Sequence, residues 1–445
     1  MSLITPCARR ITALALLLFS LAGCGGGGGG GGSAPGTLGG TVTDAVSAAT
    51  LAGVRVVVFN ADTNAPVGGA LTTDAAGKFS VSLTPGNYAI KLAKQGYDPV
   101  PPASLAPVPF TIASGQTTTN NVQMTASANA ATTGAIQGAI SAGSTGVAGV
   151  LVAAEAAGVA YSALSDASGH YAIYNVPAAS YTVKGYVAGY TVTPGAATVT
   201  AGATATANLA IGAVATGQVP ATFNLISATG VTPPANMIMS LVHPVTRESI
   251  PGLSLSKAYA PSLSYSFAGV ADATYLVRAT YANDTIVVDP DSIVKFGEPS
   301  VVVAGGAPTP AQVAIKATSA VGLTSPTNAL TSTVPVSVAA SPAPVFTWAA
   351  YPSSTDYVIE VMDAATGTVI WGGFGSAGGQ PVKNITIPSA TTSIDFNSDG
   401  NATAALVSGR IYRWRIYASK NNVQSPTGWS LISASEDQLG LIKIQ

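Results

Sequence analysis

Most protein chemistry runs through cysteine, histidine and clustered carboxylates, and this 445-residue chain is poor in all three. Its cysteines are Cys7 and Cys24 and its histidines are His170 and His243. Neither histidine sits in an H-E-x-x-H or equivalent spacing, and two in separate segments cannot build a zincin or a metallocarboxypeptidase centre. His170 stands where Lys78 stands in a related segment, which marks it as a solvent-facing strand residue. Ala142-Gly-Ser144-Thr-Gly146 misses the nucleophile-elbow pattern and reads as a turn with no helix after it. Asp395-Phe-Asn397-Ser-Asp399-Gly400 follows the first half of a calcium loop, but its twelfth position is Leu406 rather than a bidentate glutamate. That excludes an EF-hand and leaves two readings, a looser oxygen site on Asp395, Asn397 and Asp399 or a hydrogen-bonded Asx turn. Trp371-Gly-Gly-Phe374-Gly places two large aromatics among glycines. Exposed, Trp371 and Phe374 would stack on sugar rings or dock a protein; the alternative is that Trp371 ends a strand and packs inward. With so few acids, bases and nucleophiles, the expectation is a protein that is not an enzyme.

Cys24 has a context that nothing else in the chain has. Arg9 and Arg10 precede the apolar run Ile11 to Ser20, too short to span a bilayer, and Leu21-Ala22-Gly23-Cys24 follows. The plan resembles the signal peptide and lipobox of bacterial lipoproteins; the competing reading is an ordinary signal peptide with a chance cysteine. The resemblance implies removal of residues 1–23 and a diacylglycerol on the Cys24 thiol. Acyl chains contribute about 0.8 kcal/mol per buried CH₂, and firm anchoring takes more than one chain. Gly25 is not the aspartate that retains such proteins at an inner membrane, so the resemblance points to an outer membrane or cell surface. The glycines from Gly25 to Gly32 predict, over residues 24–36, a flexible tether rather than a nucleotide loop, since no strand precedes them and no helix follows.

Composition narrows the classes further. Charged residues are 8% of the chain, far below the quarter common in soluble proteins. Without Arg9 and Arg10, 16 basic residues face 19 acidic ones, and no basic stripe remains to hold nucleic acid. Beyond residue 23 no apolar run is long enough to cross a membrane as a helix. A mature chain beginning at Cys24 has no second thiol, so each domain must rest on its apolar core. Ala, Val, Thr, Ser, Gly and Pro dominate, with turn residues every few positions, which is an all-β composition.

These elements repeat. Leu83-Thr-Pro-Gly-Asn-Tyr88-Ala-Ile-Lys91, Val176-Pro-Ala-Ala-Ser-Tyr181-Thr-Val-Lys184 and Val270-Ala-Asp-Ala-Thr-Tyr275-Leu-Val-Arg278 share an aliphatic residue, four turn residues, a tyrosine and a basic residue. The tyrosines lie 93 and 94 residues apart. The first two copies also share Asp74-Ala-Ala-Gly77-Lys-Phe79 with Asp166-Ala-Ser-Gly169-His-Tyr171, Ala52-Gly53-Val54 with Ala148-Gly149-Val150, and Gly96-Tyr97 with Gly189-Tyr190. The third lacks the Asp-x-x-Gly loop and is a diverged copy or a related sandwich. Alternation puts Phe79, Val81 and Leu83 on one strand face, then Tyr88, Ile90 and Leu92 toward the same interior, with Lys91 toward water. Pro85-Gly86 between them predicts an antiparallel hairpin.

With Gly40-Thr-Val42-Thr-Asp44 ahead of them, these motifs resemble the carboxypeptidase regulatory-like domain. That resemblance implies a transthyretin-like sandwich and, through the carbohydrate-binding-like folds, allows a glycan ligand. Ala179 departs from the glycine usual before the tyrosine. Related pilin domains carry Lys–Asn cross-links made by a buried acid, but Lys91-Leu-Ala-Lys94 stands where that acid would be. After residue 323 the character changes, and Trp348, Trp371, Trp414 and Trp429 all lie there. Phe346 with Trp348, Tyr357-x-Ile359-x-Val361 and Tyr412-x-Trp414-x-Ile416-x-Ala418 form inward rows, with Glu360, Arg413 and Arg415 opposite, and resemble a fibronectin type III-like domain.

The expected fold class is therefore all-β, tandem antiparallel β-sandwiches of transthyretin-like or Ig-like kind. The expected bounds are 37–126 and 132–213 for two regulatory-like sandwiches, 214–318 for a diverged third and 323–445 for the fibronectin-like one. The expected function is a structural or binding lipoprotein of the bacterial envelope, held by its lipid, with an envelope protein or a glycan as partner and no obligatory cofactor. A carbohydrate-binding surface protein is the alternative, and an accessory module of an envelope enzyme is a third reading.

Overall fold

The computed structural model describes residues 34–61, 66–101, 109–127, 129–226, 236–281, 285–290, 298–328, 335–364, 367–435 and 439–445. Cys24, residues 1–23 and the tether up to residue 33 lie outside them. Residues 34–445 form one compact unit. The described residues are mostly strands, and a 3₁₀ turn, Ala130–Thr132, separates the first two sandwiches.

In the first sandwich one sheet runs Lys78–Leu83, Gly36–Asp44, Thr117–Thr119, and the other runs Leu71–Thr72, Arg55–Asn60, Gly86–Lys94, Tyr97–Val100. Between them lie Leu38, Val42, Val56, Val58, Phe79, Tyr88, Ile90 and Leu92, all buried. The Asp-x-x-Gly loop has a plain local cause. Asp74 Oδ1 accepts the amides of Ala76 at 2.9 Å and Lys78 at 2.8 Å, and Gly77 takes φ +71°. Asp166 repeats this with Ser168 and His170, both at 2.9 Å, around Gly169 at φ +82°. A Cβ on Gly77 would also stand 2.7 Å from the Val42 carbonyl oxygen.

The expected hairpin through Pro85-Gly86 is not formed. Lys78–Leu83 pairs with Gly36–Asp44, whereas Gly86–Lys94 pairs with Arg55–Asn60, so the turn carries the chain from one sheet to the other. Both strands do send their apolar rows into one interior, because that interior is the space between the sheets. His170–Pro177 and Ser180–Tyr186 in the second sandwich, and Ser262–Val270 and Ala273–Tyr281 in the third, cross in the same way. Nor are the sheets purely antiparallel. In all three the opening strand pairs in parallel with a closing one: Gly36–Asp44 with Thr117–Thr119, Thr133–Ala142 with Thr204–Thr206, and Gly217–Leu225 with Val313–Ser319. The third segment thus shares the topology of the other two without their Asp-x-x-Gly loop.

The third core is not closed at its own boundary. Leu151, Ala153 and Tyr186 of the second sandwich belong to the same buried cluster as Phe223, Met239, Phe267 and Tyr275. The strand Leu151–Ala156 reads LVAAEA, apolar on both faces, and its opening four residues are all buried. One face fills its own sandwich and the other fills the joint, as expected of a strand without alternation.

Beyond residue 320, Asp356–Asp363 lies between Ile411–Asn421 and Val369–Gly372. Phe346, Trp348, Tyr357, Ile359, Tyr412, Trp414 and Ile416 form the inner layer. The opposite face, where Glu360 and the outward-read Arg413 lie, is covered rather than wet. They are 8% and 4% exposed. Phe374 of the hairpin Phe374–Ala377/Gln380–Lys383 stands edge-on to Tyr417 at 5.0 Å, and with Trp429 packs over a second small cluster there.

Candidate functional site

Polar chemistry concentrates where sandwiches meet. Between the first and second, Asn175 takes φ 56°, an uncommon left-handed conformation for a side-chain-bearing residue. From there its Oδ1 accepts the amide of Gly96 at 2.8 Å, while its Nδ2 donates to the carbonyls of Tyr97 at 2.5 Å and Lys94 at 3.2 Å. Its own amide donates to Gln95 Oε1 at 3.0 Å. One side chain thus reproduces the hydrogen bonding of a missing strand segment. Beside it Arg55 donates to the Leu164 carbonyl at 2.8 Å and the His170 carbonyl at 3.2 Å, with Asp166 at 3.9 Å.

Between the second and third, Glu155 is the hub. Its carboxylate accepts from Lys184 Nζ at 2.8 Å and from the Tyr186 hydroxyl, and lies 3.3 Å from His243 Nε2. His243 Nδ1 faces the amides of Val245 at 3.3 Å and Thr246 at 3.1 Å, which assigns the proton to Nε2 and makes that ring a donor to Glu155. Burial alone would raise the carboxyl pKa, but the donors His243, Lys184 and Tyr186 outweigh it and hold Glu155 at about 2. Burial, reinforced by Glu155, pushes the Tyr186 hydroxyl far above the usual tyrosine value. Backbones also touch here: Gly189 donates to the Gly269 carbonyl at 2.7 Å, and a Cβ on Gly269 would come 2.8 Å from the Gly189 nitrogen.

Lys91, expected to face water, instead pairs with Glu248, and its ammonium stands 5.0 Å from the Phe59 ring centre. That ion pair ties the first sandwich to the third. Each basic residue of the repeat is ion-paired, Lys184 to Glu155 and Arg278 to Glu298 at 2.5 Å.

The residues singled out for ligand binding fare differently. Trp371 is 1% exposed, packed edge-on to Phe396 at 5.4 Å, with its Nε1 donating to Asp399 Oδ1 at 2.7 Å. It ends a strand and packs inward, so it presents no stacking face. Phe374 is half-buried and stacks on Trp429 at 5.9 Å. In the loop Asp395, Asn397, Asp399 side-chain oxygens are engaged within the chain, as in the Asx-turn reading. Asp399 holds the Trp371 indole and the Asn401 amide, Asn397 Oδ1 accepts the Ala402 amide at 2.7 Å, and Asp395 belongs to a strand. Burial works against the Asp399 charge, yet the Trp371 and Asn401 donors leave its pKa below the ordinary value. Among the described residues no group of three His, Cys, Asp or Glu converges to hold a metal. His170 is exposed, as its match to Lys78 implies.

One constellation has the look of an activated nucleophile: Ser419 Oγ lies 2.6 Å from Lys383 Nζ and 3.1 Å from both oxygens of Asp356. Ser419 is 0% exposed, so no substrate reaches it. The cluster fastens the covering hairpin to the sheet.

Asn175, Arg55 and the Glu155 group escaped the sequence reading. Glu155 left a signal, a lone charge closing the apolar run Leu151-Val-Ala-Ala, whereas Asn175 left none because its role comes from an unusual φ.

Compared with known proteins, the Carboxypeptidase regulatory-like domain model matches residues 37–125, the first sandwich. No curated protein matches the chain. Among solved structures, the TIE protein of Bacillus anthracis is 14% identical with a TM-score of 0.18, over 56% of this chain and 45% of its own. The chain therefore spans less than half the length of that protein. The shaft pilin SpaA of Lactobacillus rhamnosus GG is 13% identical with a TM-score of 0.18, over 40% of this chain and 98% of its own. BcpA, the major pilin subunit of Bacillus cereus, is 13% identical with a TM-score of 0.18, over 64% and 99%.

Proposed function

We propose that the chain is a lipid-anchored envelope protein of a bacterium, without catalytic activity, whose firmly joined sandwiches present their surfaces to a partner. The observation that carries this reading is the series of joints. Three consecutive sandwiches of one topology are tied by Asn175, by the Glu155 cluster and by Lys91 to Glu248, and the third is tied to the fourth. There Tyr351 Oη lies 2.9 Å from Thr318 Oγ1, and Ser433 Oγ donates to the Ser319 carbonyl at 2.6 Å. Strings of domains with small polar interfaces move against one another by default; clamps at every junction oppose that motion. Export and lipidation rest on the residues from Arg9 to Cys24. The bounds read from the sequence, 37–126, 132–213, 214–318 and 323–445, with the last fibronectin-like, belong to this proposal, as does an outer-membrane or surface location.

The test is fractionation of cells producing the full chain or its Cys24→Ser variant, followed by cross-linking in intact envelopes. Membrane retention that depends on Cys24, with a reproducible cross-linked envelope protein, supports the reading. Soluble protein in both cases sinks it. A glycan-binding role is the second reading, favoured by the partly open Phe374–Trp429 pair; retention of the full chain on a glycan array, lost in Trp429→Ala, would promote it.

A further inference from the structure

The first three sandwiches enclose a cleft of about 580 Å³, far larger than a packing defect and within the range of small-molecule sites. Its walls come from separate parts of the chain. Val57, Phe59 and Leu92 line it from the first sandwich, Ala160 and Ile173 from the second, and Thr246 from the third.

The charges on these walls say what would fit. Arg55 and Lys91 both line the cleft; the Arg55 terminal nitrogens face the Leu164 and His170 carbonyls and Asp166, while its buried Nε has no hydrogen-bond partner among the described residues, and Lys91 is paired with Glu248. Both cations thus already face a carboxylate, Arg55 that of Asp166 and Lys91 that of Glu248. The charged side chains that line the cleft, Arg55, Lys91, Asp98 and Glu248, balance one another, which favours a ligand without net charge. Hydrogen bonding does remain on offer: Tyr161 and Tyr174 line the cleft, and their hydroxyls make no hydrogen bond among the described residues. Asp98 lines it too, with a carboxylate able to accept from a ligand hydroxyl or N–H.

We propose that this cleft is a binding site for a neutral, largely apolar small molecule that carries one or a few hydrogen-bonding groups. Because three sandwiches supply its walls, such a ligand binds only their joined arrangement and stabilises it by mass action. The site is independent of the anchor and of the envelope partner, so it stands or falls separately from the proposed function.

The test uses the full chain carrying Cys24→Ser, so that no attached lipid competes, and the neutral fluorophore 6-propionyl-2-(dimethylamino)naphthalene as probe. Saturable binding with a blue-shifted emission is expected. Ala160→Trp, which fills the cleft, should weaken it at least about tenfold. Val57→Thr, which keeps the shape but puts a hydroxyl on the apolar wall, should weaken it about threefold to tenfold. Val423→Trp, at a position 93% exposed, should leave it unchanged. Melting curves establish which variants are folded, and Val57→Thr decides the matter if Ala160→Trp is not. No saturable binding at about 100 μM probe, or undiminished affinity in the folded cleft variants, overturns the proposal.

Discussion

Each repeat tyrosine spends its hydroxyl on the carbonyl four residues behind it: Tyr88 on Thr84 at 2.8 Å, Tyr181 on Pro177 at 3.0 Å, Tyr275 on Ala271 at 2.9 Å. The ring fills the core while the hydroxyl ties down the arch between sheets, the logic of a tyrosine corner. The spacing that recurs in the sequence is therefore the length of that arch. Tyr181→Phe keeps the ring and should cost about 1 kcal/mol in urea unfolding. Tyr181→Ala should cost about 3–5 kcal/mol; equal losses would refute the division of labour. The glycine before the first tyrosine matters less, since Gly86 has no positive φ and a Cβ there meets only the Tyr88 ring at 3.5 Å. Gly86→Ala should shift stability by less than about 0.5 kcal/mol, which is why the second copy tolerates Ala179. Glu155 makes a prediction in pH. Its carboxyl is depressed to about 2 from an ordinary 4.5, so its contribution is fully present above pH 4.5 and is lost as pH falls toward 2. The shift corresponds to about 3 kcal/mol. Melting temperature should fall through that window in the parent, and Glu155→Gln should be destabilised at pH 7 and show a smaller fall.

At the scale of elements, strands covered on both faces differ from those covered on one. Phe79-x-Val81-x-Leu83 alternates, and its inward face could be read directly from the sequence. Leu151–Ala156 and Asp356–Asp363 do not alternate, because both of their faces are covered. Alternation tells which residues share a face, but not which strand lies across from it. That is why the inward rows around Tyr88 and Trp414 were legible and the crossing between sheets at Pro85-Gly86 was not. Trp371 was ambiguous for a related reason: glycines beside an aromatic fit an exposed loop as well as a strand end, and only the partners Phe396 and Asp399 decide it. Asn175 supplies the element-scale test. Asn175→Gly keeps the left-handed backbone and removes the clamp. Hydrogen exchange at the Gly96 amide should then accelerate by about tenfold or more, with Val58 and Ile136 in the neighbouring cores unchanged. Uniform acceleration everywhere would mean the clamp is no local device.

For the whole molecule, low charge and abundant Ala, Val, Thr and Gly follow from strands that need small apolar residues between closely packed sheets and turns every few positions. Several of the polar groups that converge, Asn175, Glu155 and Lys91 with Glu248, lie where sandwiches meet. In the proposed reading, function at this scale depends on where the chain is held, and that rests on lipidation of Cys24. The most direct measurement is the intact mass of the protein recovered from membranes of a lipoprotein-processing bacterium, beside that of Cys24→Ser. The account predicts a chain beginning at Cys24 whose mass exceeds the polypeptide by a diacylglycerol with or without a further acyl chain, and no such increment in the variant. A membrane-derived parent with an unmodified cysteine, or one that retains residues 1–23, would contradict it.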